Sequence, residues 1–90
     1  LVGWGAGRDG RRMARALLAA GLALDRFVYI DPRKIGRTAY GRPIVEPTHL
    51  PDPTNAFVLV CVGSRGARAE IREHLDGRGF REVVDYVCLA

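Results

Sequence analysis

Ninety residues, 48% of them hydrophobic, suffice for one buried core and not for two, so the chain reads as a single globular domain. Its net charge of +4 is uneven: residues 1–42 carry nine basic and three acidic groups, residues 43–90 carry five and seven, and thirteen of the fourteen basic residues are arginine. No apolar run approaches the ~20 residues of a spanning helix and no signal sequence opens the chain, so no membrane partner is expected and the expected compartment is the cytoplasm.

Taken in order, the chain begins inside a strand, Leu1-Val2-Gly3-Trp4, without a polar lead-in, which suggests a fragment of a larger protein. Residues 10–20 place Met13, Ala14, Leu17 and Leu18 at helical spacing with Arg11, Arg12 and Arg15 opposite, and Gly21 supplies the stop. Phe27 to Ile30 is a β-rich run ending at Asp31-Pro32. After a basic loop, Pro43-Ile44-Val45 allows only a short third strand, and the proline-rich stretch from Glu46 to Asn55 is a connector with room for one helical turn near Thr48 to Leu50. Ala56 to Val62 is continuous and apolar, as a central parallel strand should be. Ser64 to Arg78 predicts a second helix with Ala67, Ile71 and Leu75 on its buried stripe, and Val83 to Leu89 a last strand.

The segment between the first strand and first helix contains Gly5-x-Gly7-x-x-Gly10. In that context Gly5 permits a tight turn, Gly7 lets the backbone approach a diphosphate, and Gly10 lets helix and strand pack closely. The amides and dipole at the helix start favour an anion there, with Ala6, Arg8 and Asp9 in the same turn. Asp31 follows Gly10 by 21 positions, near the ~20 expected of an acidic residue that accepts ribose hydroxyls; the alternative is that Asp31-Pro32 is simply a turn. Arg33, followed by Lys34, suits a further phosphate or a solvated loop. At Gly63-Ser64-Arg65-Gly66, Ser64 can cap the following helix through its hydroxyl, and Ser64 and Arg65 are also candidates to touch the ligand.

The alternation of elements together with this turn predicts an α/β fold: a three-layer, Rossmann-like domain with a parallel sheet of four to five strands in the order 3-2-1-4-5. No catalytic constellation is visible around His49 or His74, and Cys61 and Cys88 sit in apolar runs where cysteine behaves as a small hydrophobe. Metal binding is not expected. Nucleic acid is a weak candidate, for want of aromatic-basic interleaving or a recognition helix, although the basic first half would attract phosphate.

The strings Gly5-Ala6-Gly7 to Gly10, Phe27 to Gly36 and Tyr40-Gly41-Arg42-Pro43-Ile44-Val45 resemble the N-terminal nucleotide-sugar domains of bacterial sugar-nucleotide N-acetyltransferases and related dehydratases. From the Val-Gly-Ser-Arg-Gly-Ala-Arg block to Cys88 the chain also resembles the C-terminal appendage of bacterial family 2 glycosyltransferases. The resemblance implies a UDP-sugar or other nucleotide with its diphosphate at Gly5 to Gly10 and its uridine or sugar near Asp31-Pro32. It further implies an accessory domain without turnover of its own, beside an upstream transferase domain in polysaccharide biosynthesis. The chain lacks a left-handed β-helix and an Asp-x-Asp site, so binding carries over and activity does not. An NAD(P)-binding oxidoreductase fragment and a ligand-free structural or oligomerising module stay open as alternatives.

Overall fold

The computed structural model describes residues 1–5, 7–62 and 65–89, with Arg65 described in its backbone alone; the expected site residues Ala6 and Ser64 fall outside the described residues. The sheet is organised around β1 (Val2–Trp4), whose three residues are all buried. It pairs in parallel with β2 (Arg26–Val28) on one side and β5 (Val58–Val60) on the other, Gly3 lying opposite both Phe27 and Leu59. Strands covered on both faces need apolar side chains in both directions, which explains the unbroken Val-Leu-Val of β5. Outside these, β4 (Arg42–Val45) pairs in parallel with β2, and β6 (Tyr86–Cys88) with β5.

One further strand, β3 (Thr38–Ala39), pairs antiparallel with β4. This corrects the expected all-parallel Rossmann-like sheet of four to five strands in the order 3-2-1-4-5. Among the described residues the sheet is mixed and six-stranded, in the order β3-β4-β2-β1-β5-β6. The cause is local: Tyr40 and Gly41 both have positive φ, 51° and 75°, the signature of a two-residue type I′ hairpin loop that folds the expected basic loop back onto β4. The strands expected over Phe27–Ile30, Ala56–Val62 and Val83–Leu89 are also shorter than expected. Beyond β2 the chain turns at Asp31 and leaves Ile30 exposed. Before β6, Val83 adopts φ 74° in a turn where the Arg81 amide donates to the Asp85 carboxylate.

Two helices, α1 (Arg8–Ala19) and α2 (Arg65–Gly77), cover the sheet. Alternation along the strands sends Val2, Trp4, Val28, Val58 and Val60 to one face, where they meet Ile71 and Leu75 of α2 together with Phe80 and Tyr86. Phe27 and Ile44 point the other way and meet Ala14 of α1, Leu24 and Ala39. The helices therefore lie on opposite faces. The described helices include none long and apolar enough to cross a membrane.

Candidate functional site

The glycine turn sits where the carboxyl ends of β1, β2 and β5 meet the start of α1. Gly5 donates its amide to the Val28 carbonyl at 2.9 Å and the Cys61 amide donates to Trp4 at 2.9 Å, so the sheet ladder runs up to the turn. Gly5 has φ 124°, and a Cβ there would stand 2.8 Å from the Cys61 carbonyl oxygen, so both backbone shape and space demand glycine. A Cβ on Gly10 would overlap the Gly5 carbonyl group itself, which fixes how closely α1 seats on the sheet. Gly7 is different. Its φ of −82° is ordinary, and the nearest atom to an added Cβ is the Tyr29 hydroxyl at 3.4 Å. As N-cap of α1 it provides no side chain for the first-turn amides. Gly5, Gly7, Arg8, Asp9 and Gly10 line a cavity of about 190 Å³ together with Tyr29, Cys61 and Val62.

Tyr29 and Val62 also line a larger cavity of about 560 Å³ on the α2 side, with Trp4, Ile30, Ile71 and His74. Its wall is mainly aromatic and aliphatic, with Glu70 and Asp31 as acidic edges. Trp4 meets the His74 imidazole edge-on, with ring centroids 5.5 Å apart. His74 Nε2 is buried and has no hydrogen-bond partner among the described residues. Ala67, Glu70, Ile71 and His74 follow the i, i+3, i+4, i+7 spacing of one helix face.

On the other side of the turn, Gly7 and Arg8 border an open groove of about 420 Å³ lined by Arg11, Arg12, Arg15, Lys34 and Tyr40. The small cavity shares Tyr29 and Val62 with the apolar cavity and Gly7 and Arg8 with the basic groove, so the three spaces adjoin in the order apolar cavity, glycine turn, basic groove, and are together called the trough.

Of the expected site residues, Gly5, Gly7, Arg8, Asp9 and Gly10 come together. Asp31 stands apart from them on the large cavity, where Arg33 occupies both of its carboxylate oxygens at 3.1 and 3.0 Å, and the Arg33 amide adds a third bond of 3.0 Å. That fork holds the Asp31 carboxyl below the usual carboxylate range. Pro32 and Arg33 are exposed and line none of these spaces. Sequence reading missed Trp4, Tyr29, Val62, Glu70 and His74 as cavity walls; the helical spacing of Glu70 and His74 beside Ile71 was the available signal. The Cys61 thiol next to the turn is pushed up to about 11, by burial first and then by the Asp9 charge and Cys88, so it stays protonated at neutral pH and is a poor nucleophile. No cluster of three metal-ligating side chains occurs among the described residues. No family model, no curated protein and no solved structure matches the chain.

Proposed function

We propose that the chain binds a nucleotide, with its diphosphate over the Gly5 to Gly10 turn and its nucleoside in the cavity beside Trp4. The observation that carries this reading is the junction of two unlike spaces. A turn lined by glycines at an uncapped helix start adjoins an apolar cavity, sharing Tyr29 and Val62 with it. An anion and a flat aromatic group, joined in one ligand, suit those two spaces. Glu70 at the cavity edge is an acceptor for an amino or imino group of a base.

The sequence resemblance narrows the ligand to a nucleotide-sugar and the role to that of an accessory binding domain beside a transferase. Both refinements rest on that resemblance. The test is an NMR titration of the chain with UDP-sugars, NAD, NADP and coenzyme A, following the amides of residues 5–10 and the Trp4 indole. Saturable shifts in both sets by one ligand support the reading; no shift at millimolar concentration from any of them ends it.

A further inference from the structure

The basic groove beyond the turn has an arrangement that helix stability does not explain. Arg8, Arg11, Arg12 and Arg15 stand at i, i+3, i+4 and i+7, so they form one stripe of like charge along α1. Like charges at those spacings repel. Arg8 and Arg11 also lie at the helix start, where the dipole disfavours cations, while the last turn, which would favour them, holds no basic residue. Asp9 is the acidic residue of the first turn. Arg8, Arg12 and Arg15 have no ion pair or hydrogen bond from their side chains among the described residues. Lys34 adds a fifth cation from the loop after β2, and Tyr40 a phenol from the β3–β4 hairpin.

From this geometry we infer that the ligand carries a further anionic group beyond its diphosphate, a third phosphate or the carboxylate of an acidic sugar, seated between the α1 arginine stripe and Lys34. The inference rests on the nucleotide reading and names the substrate class of the same trough. With the nucleoside in the apolar cavity and the diphosphate over the turn, the part of the ligand that projects onward reaches the groove through Gly7 and Arg8, which line both spaces. A neutral sugar there leaves Arg8, Arg12 and Arg15 without a counter-charge. A phosphate or carboxylate relieves their repulsion and gains charge-assisted hydrogen bonds from guanidinium groups shaped to hold it.

Calorimetric titration of the chain with UDP-glucose, UDP-glucuronate, UDP and UTP, and in parallel with ADP and ATP, tests this. The expected result is that UTP over UDP, or UDP-glucuronate over UDP-glucose, binds about five- to tenfold more tightly, the size of one or two exposed charge pairs. The preference shrinks as salt is raised. Which pair shows it identifies the phosphate or the carboxylate as the source, with ATP over ADP reporting the phosphate on another base. In an Arg12→Ala/Arg15→Ala variant, shown by its melting curve to be folded, the ratio within the pair falls toward one. Equal affinities within every pair, or a preference that survives the double substitution, overturn the inference and leave the nucleotide reading standing. Absence of binding by both the uridine and the adenosine series overturns that reading as well. A single-stranded oligonucleotide that binds more tightly than any mononucleotide, with a steep salt dependence, overturns the inference in favour of a nucleic-acid backbone.

Discussion

The two helices cover opposite faces of one sheet by opposite means. α2 drives Ile71 and Leu75 into a cluster with Trp4, Val58, Val60, Phe80 and Tyr86, so its attachment comes from bulky apolar side chains. α1 buries only Gly10 and Ala14, with Leu18 half-buried against the smaller cluster around Phe27 and Ile44. Its attachment is close backbone approach, and its outer stripe is arginine. One helix is built for adhesion and the other for position. The positioned helix is the one whose first turn faces the trough.

Two substitutions separate these roles most strongly. Leu75 is wholly buried, and Leu75→Ala should cost about 2–5 kcal/mol through lost transfer energy and an unfilled cavity. Urea unfolding would measure it. Gly10→Val forces a side chain into the Gly5 carbonyl, so α1 must lift from β1; a loss of about 1–3 kcal/mol is expected, with displaced amide resonances across residues 5–10. If Gly10→Val unfolds like the parent while Leu75→Ala is mild, the contrast between the helices is wrong.

Legibility in the sequence follows the same division. The adhesive parts were readable because burial writes itself as apolar pattern: the Val-Leu-Val of β5 and the spacing of Ile71 and Leu75 need no other information, while Ala67, expected on the same stripe, is only half-buried and lines the large cavity. The glycine turn was readable because its spacing encodes backbone shape. What escaped depends on single dihedral angles or on contacts between distant segments. The hairpin that makes the sheet mixed turns on the positive φ of Tyr40, a residue whose type gives no hint of it. The turn at Val83 hides in a β-branched run that looks like strand. Asp31 fitted the spacing of a ribose acceptor, yet the Arg33 fork that fills its oxygens is visible only in three dimensions. The large cavity was out of reach for a related reason, since Trp4, Tyr29 and His74 come from three separate segments of the chain.

A subtler effect should appear at Gly7. Its backbone is in the extended region that valine adopts freely, and an added Cβ meets only the Tyr29 hydroxyl, which can give by a few tenths of an ångström. Gly7→Val should therefore change stability by no more than about 1 kcal/mol, chiefly through poorer helix capping. It should nevertheless abolish nucleotide binding, because branched carbons would occupy the space over the first-turn amides. A folded, non-binding Gly7→Val beside a destabilised Gly10→Val sharpens the claim that α1 is there for position. Full binding by Gly7→Val would mean that the turn is architectural.

The smallest effect is expected at Asp31, and it bears on whether the α2 side of the trough takes part in recognition. The carboxyl is held below its usual range of 3.8, first by the Arg33 side-chain hydrogen bond, then by the Arg33 amide. A depressed folded value means that the ion pair contributes above the unfolded carboxylate value and is lost as pH falls through the lower folded one. Arg33 is largely exposed, so solvent screens the pair. Asp31→Asn should accordingly lower the melting midpoint at pH 7 only slightly, and the difference from the parent should vanish below about pH 4, where the parent's own carboxyl protonates. Asparagine keeps an oxygen for the Arg33 amide, so the loop should hold its shape. Binding is then the informative readout. If Arg33 yields its place to ribose hydroxyls, Asp31→Asn weakens nucleotide affinity at neutral pH while the Gly5 to Gly10 amides still shift on titration. If affinity is the same in parent and variant, Asp31-Pro32 is a turn and nothing more, and ribose recognition falls to the walls around Tyr29 and Glu70.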